Sequence, residues 1–353
     1  QKSAGTRDQD FLEHMFVATN HQYMMFFTQK GKCFWMRVYE IPEGSKTAKG
    51  RAIQNLVNIE SDDKVKAFIC TQDLKDKDYI NSHNLIMVTK KGQVKKTSLE
   101  KYSKPRVNGV AAITIKEGDE LLEAKLTNGE SQIILAVKSG KLVRFEETKT
   151  RPMGRTASGV RGITLKDDTD EVIGMVTVDK DDVNDSQILV VTENGYGKRT
   201  KLVDEDGEDV YRITNRGGKG VKTLNITEKT GKLISINAVT DADDLMIINK
   251  SGLTIRMAIE DLRVMGRATQ GVKLINLKGK DSIAAVTKVM KDDVAEVVVD
   301  EDGNVIETEA IERIKPVLEI LEDEGVEEDE EEDDVEEDED DEASEGDDED
   351  DEV

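Results

Sequence analysis

Lysine and arginine are absent from the last 35 residues of this 353-residue chain, and other scarcities are nearly as informative. There are two cysteines, four prolines, one tryptophan, and aromatic residues make up 4%. Cys33 and Cys70 cannot build a disulfide framework and fit a reducing, cytoplasmic setting. Cys33 lies among apolar residues and reads as a packed thiol. No apolar run approaches the roughly 20 residues of a membrane span, and no signal peptide opens the chain. His14, His21 and His83 are dispersed, and no Cys/His spacing suits a metal, so no metal site is expected. The chain begins at Gln1 rather than Met, which reads as a fragment.

Net charge is −25, from 50 Lys+Arg against 75 Asp+Glu, but two different segments are averaged in it. Residues 319–353 hold 26 of the carboxylates, leaving 49 against 50 basic side chains in residues 1–318. The acidic tail has too few apolar residues to bury a core and repels itself, so it is expected to be disordered. The body is nearly neutral, and the acidity of the whole excludes no polyanionic partner. At 318 residues it exceeds a comfortable single core unless it is repetitive.

A repeat is present. A short apolar run, a Gly-centred turn and a second run recur at Gly31, Gly92, Gly140, Gly195, Gly252 and Gly303, between 48 and 61 residues apart. Such runs around Lys-Gly, Ser-Gly and Asn-Gly are hairpin signals. After five of the six hairpins comes a basic, Gly-containing loop leading into another strand, its key glycines being Gly50, Gly109, Gly159, Gly220 and Gly271. Hairpin Gly to loop Gly is 17 to 25 residues throughout. The sixth hairpin shows no such basic loop, and the phase places a missing one upstream of Gln1. Six β units predict an all-β propeller-like disc of six blades, with an open solenoid as the other possibility.

Basic residues fall at fixed phase in these units. The loops carry Lys46, Lys49 and Arg51; Lys104 and Arg106; Arg151, Arg155 and Arg161; Arg216, Lys219 and Lys222; Arg267 and Lys273, with Arg212 and Arg263 beside them. The strands after the hairpin turns add Arg37, Lys95, Lys96, Arg144, Lys198, Arg199 and Arg256. A lone surface cation means little, but a phased set around one rim predicts a belt matched to a bent phosphate backbone. Glycine lets a loop backbone approach phosphate closely. Nothing here reads bases, so double-stranded DNA would be selected by deformability. Scarce aromatics argue against stacking single strands. Glu307 replaces the usual cation in the sixth hairpin, which predicts an interruption of the belt there.

Arg7 to Phe16, Phe27 to Trp35, Val38 to Gly44, Lys49 to Ile53, Arg151 to Arg155 and Gly159 to Ile163 resemble the C-terminal domain of the DNA gyrase A subunit. That resemblance implies a six-bladed β-pinwheel over residues 1–318 that wraps DNA, followed by the tail. It also implies participation in an ATP-dependent type II topoisomerase, with the rest of the A subunit and the B subunit as partners in an A2B2 holoenzyme of the bacterial nucleoid. ATP and Mg would act elsewhere in that assembly, and no cofactor is expected in this chain. The family's Gln-Arg-Arg-Gly-Gly-Lys-Gly box would lie in the loop upstream of Gln1, and Asn215 to Gly220 resembles a degenerate copy. In the family the cleaving tyrosine follows an arginine, and none of the six tyrosines here does. The chain itself is therefore expected to be non-catalytic. The related topoisomerase IV domain and a propeller-type protein scaffold are the alternatives; six units and the Arg7 to Phe16 match favour gyrase.

Overall fold

The computed structural model describes residues 18–44, 50–250, 254–277 and 282–290, with the backbone of 297–299 and 305–307. The chain divides into two units, Gln1–Val317 and Leu318–Val353, and no residue of the second is described. The expectation about the tail therefore lies outside the described residues.

The first repeat forms β1 (Tyr23–Thr28), β2 (Lys32–Arg37) and β3 (Val65–Thr71). The second, after the short helix α1 (Lys77–Ser82) capped by Asp76, gives β4 (Asn84–Thr89), β5 (Gln93–Ser98), β6 (Val110–Ala111) and β7 (Leu121–Thr127). The third contains β8 (Gln132–Val137), β9 (Lys141–Glu146), β10 (Val160–Arg161) and β11 (Val172–Val178). The fourth contains β12 (Gln187–Thr192), β13 (Tyr196–Lys201), β14 (Val221–Lys222) and β15 (Leu233–Val239). The fifth contains β16 (Asp243–Asn249), β17 (Thr254–Ala258), β18 (Val272–Lys273) and β19 (Ile283–Met290). Last come β20 (Val297–Val299) and β21 (Val305–Glu307).

Repeats and blades do not coincide. The sheets run β3-β1-β2-β6, β7-β4-β5-β10, β11-β8-β9-β14, β15-β12-β13-β18 and β19-β16-β17, all antiparallel. The outer strand of each four-stranded blade is therefore donated by the next repeat. Each donated strand starts on a Gly-Val pair, and its valine faces the second residue after the hairpin glycine: Val110 on Cys33, Val160 on Val94, Val221 on Leu142, Val272 on Gly197.

The six-blade expectation needs correction: five blades are seen among the described residues. The fifth stops at three strands, and the sixth repeat shows only the β20–β21 ladder. A blade here is completed by its successor, and the residues that would complete the fifth and sixth sheets lie outside the described residues.

The central strand of each blade reads as an unbroken apolar run because both its faces are covered. Leu85 and Met87 pack with Met25 and Phe27 of the preceding blade, while Ile86 and Val88 pack with Ile133 and Leu135 of the following one. Ile134 and Ile188 join the third and fourth blades, and Leu189 and Leu245 the fourth and fifth. Period-2 alternation thus divides one strand between two cores. Each such side chain contributes about 1.5–3 kcal/mol of burial. Met24 and Phe26 are instead covered by Val57 and Ile59 of their own repeat. Cys33 is fully buried, as its sequence surroundings suggest, and burial pushes its thiol pKa well up.

Gly159 shows why the Gly-Val pair is needed. It adopts φ +87°, and a Cβ there would stand 2.6 Å from the Val94 carbonyl oxygen. Gly220 and Gly271 make the same approach to Leu142 and Gly197. These glycines are therefore spent on backbone contact inside the blade, not on phosphate as the sequence alone suggests. Gly159→Ala is expected to destabilise the chain by about 1–3 kcal/mol, the scale of a strained backbone position, read by urea unfolding; an unchanged midpoint would show that the donated strand tolerates a side chain there.

Candidate nucleic-acid interface

The second hairpin strand is overlaid by the loop that precedes each donated strand. The loop backbone docks on the residue four positions after the hairpin glycine: Met153 N–H donates to Lys96 O, Thr214 N–H to Arg144 O, Met265 N–H to Arg199 O, at 2.8–2.9 Å. The side chains at this position are covered in the process. Lys96 pairs with Glu147 (3.5 Å), itself fully buried and accepting from Thr127 Oγ1 and Gly129 N–H. Arg144 pairs with Asp209 (2.7 Å) and also donates to Gln132 Oε1 and Tyr211 O. Arg199 pairs with Asp241 and donates to the Leu262 and Glu260 carbonyls. Arg256 is exposed but bound to Asp244 (2.7 Å). In the first blade the position is Trp35.

One residue earlier, Lys95 and Lys198 are fully buried and hold loop carbonyls instead of a carboxylate. Lys95 Nζ donates to Ala112 O and Arg155 O, each at 2.5 Å. Lys198 Nζ donates to Gly266 O, Arg267 O (2.5 Å) and Thr269 Oγ1 (3.1 Å). Burial, and then the Arg155 charge, pull the Lys95 pKa down to about 8; burial pulls Lys198 down to about 7. The expectation of an exposed belt is thus corrected for Lys95, Lys96, Arg144, Lys198 and Arg199. Arg37, half-buried, lies over the Tyr23 ring at 4.5 Å. Lys95, Arg144, Lys198 and Arg199 hold the loops from beneath by donating to their carbonyls.

The loop cations behave differently. Arg51, Lys104, Arg106, Arg151, Arg161, Arg216, Lys219, Lys222 and Lys273 are exposed, as are Arg212 and Arg263, and Arg155 and Arg267 are half-buried. Lys46 and Lys49 lie outside the described residues. Among the described residues none of these loop cations makes an ion pair. Carboxylates near the hairpin turns are taken by other lysines instead: Glu60 and Asp62 by Lys30, Glu120 by Lys90, Glu171 by Lys138. Acidic and basic groups are therefore sorted to different parts of each repeat.

Successive loops are also tied together. Thr114 N–H and Oγ1 donate to Ala157 and Thr156 O, Thr164 N–H and Oγ1 to Gly218 and Gly217 O, and Asn225 N–H to Thr269 O. The stretch after one donated strand is thus latched to the next repeat's basic loop, giving a continuous basic path over these blades. Register adds a cation that the sequence reading missed. Lys222 faces Lys141 across β14–β9, both without an ion pair among the described residues. Like charges directly opposite destabilise a sheet and suit a polyanion laid over them. Pairing register, rather than loop composition, is the signal for Lys141.

The DNA gyrase C-terminal domain, beta-propeller model matches residues 22–72, 83–128, 132–179, 186–240 and 243–290, one segment per repeat. The chain belongs to the DNA gyrase C-terminal domain family. It is 39% identical over 311 residues to the DNA gyrase A protein of Staphylococcus aureus (strain MRSA252), covering 87% of this chain and 34% of that one. It is 40% identical over 287 residues to the same protein of strain NCTC 8325 / PS 47, covering 81% and 31%. The chain thus spans about a third of the length of these relatives. Among solved structures it resembles a DNA gyrase A C-terminal domain (TM-score 0.63, 21% identity, 82% of this chain and 92% of that one). It also resembles a topoisomerase IV C-terminal domain (TM-score 0.66, 23% identity, 77% and 80%). The structural likenesses establish the fold.

The Gly-Val start of each donated strand recurs in the sequence at Gly325-Val326, 22 residues after Gly303 (325 − 303), with Lys315-Pro316 ahead of it much as Arg151-Pro152 precedes Gly159-Val160. The following residue is Glu327, where Arg161, Lys222 and Lys273 stand elsewhere. A sixth loop signature is thus present in the sequence with its charge reversed, and a search for basic residues after the sixth hairpin passes over it for that reason. The structural counterpart lies outside the described residues.

The buried lysines make a signed pH prediction. In the unfolded chain Lys198 keeps its proton to the ordinary value of 10.5, whereas the folded group releases it near pH 7. Between these values the unfolded state binds more protons, so this group's contribution increasingly favours the fold as pH rises. The stability of the chain minus that of Lys198→Met should therefore climb from about pH 7 to about pH 10 in urea unfolding. A flat or falling difference would show that Lys198 keeps its proton in the fold.

Proposed function

We propose that this chain binds duplex DNA along its basic loops and bends it over the blades, as the wrapping module of a gyrase A protein. In that setting the rest of the A subunit and the B subunit supply strand passage and use ATP and Mg, and this chain's role is to present curved DNA for negative supercoiling in the bacterial cytoplasm. The observation that carries the reading is the set of unpaired loop cations on latched, consecutive loops. Backbone charge is what such a path can recognise, since phosphate contacts position a protein without reading sequence. Exposed Val107, Ile213 and Val264 lie in the same loops, where small apolar side chains fit against sugar faces. The gyrase reading is favoured over topoisomerase IV by the identity to gyrase A proteins along most of this chain. The polyanionic segment 319–353 is proposed to lower DNA affinity at low salt through its charge.

Binding through about 6–10 phosphates should weaken roughly 10³–10⁵-fold between 50 and 200 mM salt. Exchanging charge at Arg155 and Arg161 together (R155E/R161E) should weaken binding to unrelated duplexes equally. Fluorescence anisotropy on several sequences measures both. A salt-insensitive complex, or one duplex strongly preferred over its scrambled version, would instead support a scaffold for another partner.

The tail gives a separate expectation: removal of residues 319–353 should tighten binding at 50 mM salt, with a smaller gain at 200 mM. Equal affinities at 50 mM would leave the tail without a part in DNA binding.

A further inference from the structure

The position three residues after the hairpin glycine alternates along the chain. It is Lys95 in the second blade and Lys198 in the fourth, but Val143 in the third. The loops above respond to this difference. Where the lysine is present, its ammonium takes the carbonyl of the loop arginine itself, Arg155 O or Arg267 O. The guanidinium groups of Arg155 and Arg267 then donate no hydrogen bond and make no ion pair among the described residues. Where the position is Val143, buried and without a donor, the equivalent loop arginine does the holding. Arg216 Nε donates to Lys149 O (3.1 Å) and its Nη1 to Arg161 O (3.3 Å).

Loop carbonyls need donors, and the two kinds of blade find them differently. A buried lysine head group has its N–H donors turned onto these carbonyls, alone or with a hydroxyl. A guanidinium turned back onto carbonyls has fewer donors left for an external oxygen and a fixed direction. We propose that Lys95 and Lys198 are positioning residues that free Arg155 and Arg267 to contact DNA phosphate directly, whereas Arg216 is itself a positioning residue that fastens its loop. This rests on the DNA-binding reading above, and divides one family of loop arginines into two roles that their sequence surroundings do not distinguish. Direct contact in the third blade then falls to Lys219 and Lys222, which are exposed and unpaired.

The test is a salt series of duplex binding by the full chain and its variants. Each phosphate contact contributes close to one unit to the slope of log affinity against log salt. Arg155→Ala and Arg267→Ala should each reduce that slope by about one unit. Arg216→Ala should weaken binding with the slope unchanged. Lys95→Met should weaken binding in the parent chain but cause no further loss in an Arg155→Ala background, a non-additivity that general destabilisation would not produce. The three arginine variants alter exposed or half-buried side chains that make no ion pair among the described residues, and decide the matter even if Lys95→Met does not fold. An Arg216→Ala slope change equal to that of Arg155→Ala, or additive losses in the Lys95–Arg155 pair, would overturn the assignment. Absence of DNA binding by the parent chain would instead overturn the DNA reading and this inference with it.

Discussion

Strand donation is the constraint on which the rest of this structure depends. A three-stranded repeat cannot finish its own blade, so each is completed by two residues from its successor, a Val and the residue after it. Those two residues need a glycine before them, because the chain must pass within van der Waals distance of a hairpin carbonyl at positive φ. They also need a loop ahead of them that crosses the same hairpin strand. The basic loop is therefore part of the blade's closure and cannot be a free surface appendage. Its position is set by the same backbone contacts that hold the fold together, which couples loop geometry to blade integrity.

That coupling explains how the cations are used. A loop lying over a hairpin strand brings carbonyl groups into a dry environment, where each must find a donor. The strand beneath answers with buried Lys and Arg. Those four positions after the glycine carry a carboxylate partner as well, and those three positions after it meet carbonyl oxygens alone or with a hydroxyl. A buried charge lacking such partners would be strongly destabilising, so these residues are fixed by the fold before any ligand is considered. The loop cations have no carboxylate partner among the described residues, and their recurrence along latched loops is the functional signal.

The repeat, its phase and its all-β character were legible because the turn glycines and apolar runs are local features. Blade number was less legible. Counting hairpins gives six, but a blade is defined by pairing between repeats, and that long-range fact leaves only the faint mark of Gly-Val before β6, β10, β14 and β18. The interface was half legible for a similar reason. Arg161, Lys222 and Lys273 were identifiable from composition and are exposed, whereas Lys95, Lys96, Arg144, Lys198 and Arg199 have the same composition and are buried. Sequence shows that a cation recurs in phase; it does not show whether a loop will lie over it. Phase alone therefore cannot separate a structural cation from a ligand-facing one.

Charge sorting within the repeat carries the synthesis one step further. The carboxylates Asp63, Asp119 and Asp170 accept from turn N–H groups of Lys30, Lys91 and Ser139 at 2.9–3.1 Å, which fixes acidic residues beside the hairpin turns for purely structural reasons. Lys30, Lys90 and Lys138 near those turns are paired locally, and surface pairs of that kind add little stability. Because acids have a structural place at the turns and, among the described residues, form no ion pair with the loop cations, a body of nearly zero net charge still develops a strongly uneven field. Net charge is the wrong measure for such a protein. What a polyanion meets is the local surplus along the loops, and that surplus is created by where the fold requires its carboxylates to be.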